Sequence, residues 1–284
     1  MGATRSPEPL SGVGKTALAV ARVRAEESRR PDRLFDDPYA EAFLAAVPGS
    51  GDGRRATSAE RGSMATFLRF HTIIRTRFYD DYLLGACADG LRHVVLLAAG
   101  LDTRAFRLPW PDGVRLFELD LPQVLDFKRR VLAEHGAEPR CERTAVAADL
   151  REDWPGRLTA AGFQPVEPTA WLVEGLLVYL AADEAARVLA GIGKLSARGS
   201  RLSFERSDAA SLPRALTGES PAMERLVSLW KGGLDQDPPG WLTHNGWQPE
   251  IHELSAVAAS YGRPAPDRAR GGFVTATYPT GQQP

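Results

Sequence analysis

HVVLLAAGLDTRAFRL, residues 93–108, and VRLFELDLPQVL, residues 114–125, are the two stretches of this sequence that decide its fold. Each is an apolar run that ends at small or acidic residues, the first at Gly100 with Asp102 beyond it and the second at Asp120. A continuous apolar run of this length predicts a strand buried on both faces of a parallel sheet. A glycine after the first strand lets a ligand approach the backbone, and an acid that ends the second can hydrogen-bond a ribose diol. The pair therefore predicts a site for a nucleoside ligand.

Strands and helices are predicted to alternate outward from this pair. The predicted strands are residues 94–99, 114–119, 144–147, 170–173 and 201–205, and the predicted helices between them are residues 122–134, 154–161 and 183–197. A last helix is predicted at 249–261 and a closing strand at 272–278. Alternation at this spacing indicates βαβ units, and hence an α/β fold with a mostly parallel, Rossmann-like sheet.

The whole chain is predicted to form a single domain of four parts. These are an N-terminal helical cap, a core with the ligand site, an inserted lid, and a C-terminal helix and strand, at residues 1–90, 91–206, 207–248 and 249–284. Helical spacing in the cap predicts helices at 11–30, 38–46 and 63–87, with a mobile Gly-rich loop at 48–58. The lid is predicted because prolines interrupt the periodicity after residue 206.

The composition is that of an ordinary globular protein. Of 284 residues, 43% are hydrophobic and 25% are charged, and the formal net charge is -1. This balance gives no basic field for nucleic acid or for an anionic membrane. Only two cysteines occur, Cys87 and Cys141, and no apolar stretch approaches the roughly 20 residues that span a bilayer. We therefore expect a soluble, cytoplasmic protein that acts on a small molecule and needs no metal.

Two glycine-containing segments match nucleotide-binding motifs only in part. SGVGKTALAV, residues 11–20, ends like a phosphate loop, but the residue five positions before Gly14 is Pro9 and no apolar strand precedes it, so a helix start is favoured. LAAGLDTRAF, residues 97–106, holds one glycine instead of the three of the dinucleotide fingerprint, which disfavours NAD or FAD. An ordinary strand-to-helix turn remains the alternative for this second segment.

Three acids follow predicted strands at the edge where open α/β sheets bind ligands. Asp120 can accept hydrogen bonds from two ribose hydroxyls, or it can cap the helix that begins near Pro122. Asp149 can accept a hydrogen bond from an exocyclic amine, or it can cap the next helix. Glu174 lies in the apolar run WLVEGLLVYL, where an acid is costly unless it is paired or functional.

These motifs together resemble a known family, the leucine carboxyl methyltransferase-type branch of the class I S-adenosylmethionine-dependent methyltransferases. The resemblance covers most of residues 11–206 in order, and it is carried by ARVRAEESRRPDRLFDDPYAEAF, IIRTRFYDDYLL, VVLLAAGLDTRAFRLPWP, FELDLPQVLDFKRRVL, AADLREDW and WLVEGLLVYL. It implies a seven-stranded sheet and S-adenosylmethionine as the methyl donor.

The resemblance also implies roles for individual residues. Gly100 lies under the methionine portion of the donor, Asp120 binds the ribose, Asp149 and Leu150 flank the adenine, and Glu174 lies near the amino group. Asp102, Leu121 and Tyr179 complete the donor site. An arginine of the helical cap binds the donor carboxylate; Arg77 and Arg75 are the candidates, and Arg24 is a weaker one.

The acceptor is expected to be an oxygen of a small molecule, a hydroxyl or a carboxylate of a secondary metabolite. A carboxylate needs cationic clamps, for which Arg69, Arg75 and Arg206 are candidates, whereas a hydroxyl profits from a general base, for which His71 and His244 are candidates. Two alternatives stay open: an NAD(P)-dependent oxidoreductase, and a protein that binds S-adenosylmethionine without turnover.

Overall fold

The computed structural model describes residues 13–47, 63–206, 224, 226–234, 237–266 and 270–280. The strands in this part of the chain are β1 (His93–Leu97), β2 (Arg115–Asp120), β3 (Glu142–Ala147), β4 (Thr169–Val173), β5 (Arg201–Arg206), β6 (Gln248–Glu253) and β7 (Gly272–Thr277). They form one sheet in the order β3-β2-β1-β4-β5-β7-β6. Strands β1 to β5 are parallel, and β7 pairs antiparallel with both β5 and β6. The predicted α/β fold with a mostly parallel, seven-stranded Rossmann-like sheet is confirmed.

Helices cover both faces of this sheet. They are α1 (Val13–Ser28), α2 (Ala40–Ala45), α3 (Ser63–Ala88), α4 (Arg104–Arg107), α5 (Pro122–Glu134), α6 (Trp154–Ala160), α7 (Ala182–Lys194), α8 (Pro238–His244) and α9 (Leu254–Ser260), with a short 3-10 helix at Leu177–Tyr179. Alternate residues of β1 face opposite cores: Val94 and Leu96 pack with α1, α2, α3, α5 and α9, whereas Val95 and Leu97 pack with α6, α7 and α8. Burial on both faces explains why β1 is apolar throughout.

The prediction of a single helix over residues 249–261 is wrong. Its first half is the edge strand β6, and only Leu254–Ser260 is helical. Residues of β6 contact one neighbouring strand and are mostly exposed, so the segment QPEIHE shows no apolar run. Pro249 fits there because an edge strand leaves part of its backbone without a ladder partner. The other predicted helices and strands of the core lie within a few residues of the observed ones.

The remaining segments of interest are the phosphate-loop-like stretch, the cap loop and the lid. Gly14 lies in the first turn of α1, as expected for a helix start. The predicted loop at 48–58 and residues 207–223 of the predicted lid lie outside the described residues. At the other end of that lid, Leu242 and Trp247 are buried in the core. Among the described residues, no helix is both long enough and apolar enough to cross a membrane.

Candidate functional site

A cavity of about 330 Å³ opens where the carboxyl ends of the parallel strands meet. It is lined by the turns after β1, β2, β3 and β4 and by α1 of the cap. Arg75 of α3 and Lys231, which precedes α8, complete the lining. Its polar and small lining residues include Arg24, Arg75, Gly100, Asp102, Asp120, Asp149, Glu174, Gly175, Tyr179 and Lys231. Its size is at the lower end of the range for small-ligand pockets, about 300–1,000 Å³.

The turn after β1 is bound to the carboxylate that ends β2. Gly100 has a φ of 50°, which favours glycine, and its N–H donates to Oδ2 of Asp120 at 2.6 Å. The N–H of Leu121 donates to Oδ1 of the same side chain at 2.7 Å. Burial raises the pKa of Asp120 above its usual value, although both backbone donors oppose the shift. Each carboxylate oxygen has a further lone pair, so the fixed side chain can still accept two hydroxyl donors.

The turn after β3 places Asp149 at the cavity, next to Leu150. The guanidinium of Arg151 donates to both oxygens of Asp149, from Nε at 2.9 Å and from Nη2 at 2.5 Å. This hydrogen bonding lowers the pKa of Asp149. Asp149 is therefore an ionised acceptor at the wall of the cavity.

Glu174, directly after β4, is held by two arginines. Oε1 lies 2.9 Å from Nε of Arg75, and Oε2 accepts from Nη1 of Arg104 at 2.6 Å. Burial alone would raise the pKa of Glu174, but these two guanidinium groups lower it below its usual value. The carboxylate predicted from the apolar run is thus both paired and placed at the cavity.

Glu205, at the end of β5, continues this network and was not among the residues predicted from the sequence. Oε1 of Glu205 accepts from Nη1 of Arg75 at 2.8 Å, and both oxygens accept from the N–H of Gly175 at 2.9 Å. Burial raises the pKa of Glu205, against the effect of Arg75. An acid at the end of an apolar strand was the available signal, the same one that identifies Glu174.

Most of the predicted donor-site residues lie around one cavity. Those that line it are Arg24, Arg75, Gly100, Asp102, Asp120, Leu121, Asp149, Leu150, Glu174 and Tyr179. Arg77 is not among the lining residues, because it pairs with Asp81 at 3.0 Å and donates to the carbonyl of Leu34.

Of the predicted acceptor-side residues, Arg75 lines the cavity and the others do not. Arg69 pairs with Glu26 of α1, and Arg206 pairs with Glu253 of the edge strand β6. His244 is exposed at the end of α8. His71 does not line the cavity; its ring lies between Phe67 and Phe273, with centroids at 5.9 and 5.8 Å.

Acid is expected to destabilise the protein in part through His71. Burial, aided by the charge of Arg75, lowers the pKa of His71 from 6.5 to about 3. The unfolded chain takes up a proton at His71 below about pH 6.5, whereas the folded protein does so only near pH 3. The stability that the neutral, buried His71 contributes is therefore full above about pH 6.5 and is lost as the pH falls toward 3. In His71→Leu, the slope of the unfolding free energy against pH in this window should fall by up to about 1.4 kcal/mol per pH unit.

Urea denaturation at a series of pH values measures this slope. His244→Leu, which removes an exposed histidine, is the control and should keep the slope of the wild type. A slope in His71→Leu equal to that of the wild type would contradict the burial effect.

The fold and the cavity together define a Rossmann-like protein with a small-ligand cavity at the carboxyl ends of its parallel strands. Comparisons with known proteins agree, since residues 17–193 match the leucine carboxyl methyltransferase family. Two relatives bear the name putative S-adenosyl-L-methionine-dependent methyltransferase. The one from Parafrankia sp. (strain EAN1pec) is 49% identical over 284 residues, covering 96% of this chain and 89% of the relative. The one from Frankia alni is 50% identical over 274 residues, covering 95% and 96%.

Solved structures share the fold at low identity. A DUF574 family protein from Streptomyces avermitilis has a TM-score of 0.57 at 16% identity, covering 91% of this chain and 97% of that one. Magnesium protoporphyrin IX methyltransferase from Synechocystis, solved with bound SAH, has a TM-score of 0.50 at 14% identity, covering 80% and 90%.

The chain belongs to the leucine carboxyl methyltransferase family, and it is an S-adenosylmethionine-dependent methyltransferase by class. Family membership removes the alternative of an NAD(P)-dependent oxidoreductase. The lining residues fit the donor, because the paired Asp120 keeps acceptor capacity for a ribose diol.

Proposed function

We propose that the chain transfers the methyl group of S-adenosylmethionine to an oxygen of a small molecule, and that this oxygen belongs to a carboxylate. The observation that carries the proposal is the set of cationic side chains at the cavity: Arg24, Arg75, Arg151 and Lys231 line it together with the acids of the donor site. Cations at this wall of the cavity favour anionic groups on the ligands. The donor supplies one such group, its carboxylate, and a carboxylate acceptor supplies a second.

The residues that hold the donor are assigned from their places around the cavity. Asp120 accepts from the ribose hydroxyls, Asp149 accepts from the adenine amine beside Leu150, and Glu174 binds the amino group. We assign the donor carboxylate to Arg75, because the amino group and the carboxylate share one carbon and Nε of Arg75 lies 2.9 Å from Glu174. Arg24, in contrast, donates to the carbonyl of Leu101 at 2.6 Å and lies beside Asp37.

The two predicted general bases favour a carboxylate acceptor over a hydroxyl acceptor, because neither His71 nor His244 is among the lining residues of the cavity. The sulfonium of S-adenosylmethionine supplies an already activated methyl group, so the protein has mainly to align an ionised nucleophile with it. His71, a predicted general base, has its pKa lowered to about 3 and is a weak proton acceptor near neutral pH. A carboxylate is ionised there and needs no base.

Transfer of labelled methyl from S-adenosylmethionine to a panel of small carboxylic acids and phenols tests the proposal. We expect the product to be a methyl ester, whose label is released as methanol by mild base. A base-stable methyl group on an oxygen would move the assignment to a hydroxyl acceptor, and label on nitrogen would overturn O-methylation. Tight binding of S-adenosylhomocysteine without turnover on any acceptor would support the non-catalytic alternative. The location in the cytoplasm and a place in secondary metabolism stay predictions from the sequence.

A further inference from the structure

We propose that Glu205 is a positioning residue, which fixes the Glu174–Gly175 turn and Arg75 in the arrangement that binds the amino-acid end of the donor. The inference rests on the roles proposed above for Glu174 and Arg75. It adds a residue of β5, a strand that supplies no lining residue of the cavity. It gives that residue a role in the preference of the site for ligands that carry the donor's amino-acid end.

The sheet register brings Glu205 to the turn that it holds. Val173 pairs with Phe204, so Glu174 and Glu205 are the next residues of two adjacent parallel strands, at the edge where the cavity opens. The side chain of Glu205 is 14% exposed and is not part of the cavity wall. It therefore acts through its neighbours rather than by touching the donor.

Glu205 joins two groups that would otherwise be fixed separately. Its carboxylate accepts from the N–H of Gly175, with both oxygens at 2.9 Å, and from Nη1 of Arg75 at 2.8 Å. Nε of Arg75 lies 2.9 Å from Oε1 of Glu174, which is an ion-pair contact. One guanidinium thus lies between two carboxylates, with its orientation set by a contact on each side.

The backbone of the turn depends on the same contact. Gly175 has a φ of 65°, and a Cβ at this position would lie 3.6 Å from Nη1 of Arg75. The 3.6 Å distance is an ordinary van der Waals contact, so it is the positive φ that favours glycine here, and in this conformation the N–H of Gly175 faces Glu205. Loss of the Glu205 carboxylate would leave that N–H and one side of Arg75 without an acceptor.

Stability alone is a weak reason for a carboxylate at this place. Removing a carboxylate from water has a large cost, and apolar side chains of similar volume often stabilise such positions better. A carboxylate that fixes a ligand-binding arginine and a turn has a specific use, because binding sites lose affinity when their groups are not held in the productive orientation.

The test compares two ligands that differ only at the end in question. S-adenosylhomocysteine carries the amino group and carboxylate, whereas 5′-methylthioadenosine has the same adenosine and lacks both. In Glu205→Gln, we expect the dissociation constant of S-adenosylhomocysteine, measured by calorimetry, to rise about 10- to 100-fold. That of 5′-methylthioadenosine should change less than about threefold. Glu253→Gln is the matched control. It removes a more exposed carboxylate, which pairs with Arg206, the residue that follows Glu205.

Each outcome separates the inference from the proposed function. Equal losses for both ligands, or no loss for either, would overturn the positioning role of Glu205. If the wild type bound S-adenosylhomocysteine no more tightly than 5′-methylthioadenosine, the roles of Glu174 and Arg75 would fail first. If Glu205→Gln does not fold, Glu205→Asp gives the second comparison: it keeps the carboxylate charge, but its shorter side chain cannot reach both Arg75 and the N–H of Gly175. It should weaken S-adenosylhomocysteine selectively, and an unselective effect would again overturn the inference.

Discussion

Replacement of Arg104 by methionine is expected to lower the free energy of unfolding by about 3–5 kcal/mol, the cost of leaving buried charges without their partner. The side chain of Arg104 is 1% exposed. Its Nε donates to Asp80 at 2.7 Å and its Nη1 donates to Glu174 at 2.6 Å and to Asp102. Methionine fills a similar volume, so the loss reports the charge rather than a cavity.

The three carboxylates are not affected equally. Asp80 keeps the two hydrogen bonds from Arg107, and Glu174 keeps its contact with Arg75. Asp102 loses its principal cation: burial by itself raises its pKa, and it is the charge of Arg104 above all that holds the value at about 2. The stability of the variant should therefore fall less on acidification than that of the wild type. The reason is that Asp102 would take up a proton in the folded state at a higher pH than in the wild type.

Urea denaturation of Arg104→Met measures the stability change, with Arg187→Met as the control. Arg187 pairs with Asp183 on the exposed face of α7, where both side chains are more than 60% exposed. An exposed pair of this kind is worth about 0–1 kcal/mol. If Arg104→Met lost no more stability than Arg187→Met, the buried ion-pair network would not be a source of the stability of this protein.

Prediction of the fold from the sequence depended on strands that are buried on both faces. In β1 and β4 every residue is buried, so an apolar run alone identifies them. In β6 the burial alternates irregularly and Ile251 is 45% exposed, so the local pattern carries no strand signal. Its place in the sheet is determined by pairing with β7, whose partner residues lie 19 to 29 positions further along the chain.

Prediction of the site depended in the same way on local signals. Asp120 and Glu174 could be identified because each ends an apolar run, whereas the partners of Glu174 come from distant segments of the chain. The choice between Arg75 and Arg77 is a question of helix phase: two residues along a helix are about 200° apart around its axis, so one faces the cavity when the other faces away. A shift of two residues in the assumed phase of α3 exchanges the two, and only the packed structure places Arg75 at the cavity.

Asp120→Ala is expected to weaken the binding of S-adenosylhomocysteine by about 1–3 kcal/mol, because it removes both acceptor oxygens for the ribose. The ribose is common to S-adenosylhomocysteine and 5′-methylthioadenosine, so both should lose affinity equally, unlike the selective loss expected for Glu205→Gln.

The affinity of the wild type should also depend on pH through Asp120. Burial raises the pKa of Asp120, and the ionised form is the one that accepts from two hydroxyls, so wild-type affinity should fall as the pH drops through that raised value. Asp120→Asn should abolish this pH dependence, and Asp126→Ala, which removes an exposed carboxylate from α5, should bind both ligands like the wild type. A loss confined to S-adenosylhomocysteine would show that Asp120 contacts the amino-acid end instead of the ribose.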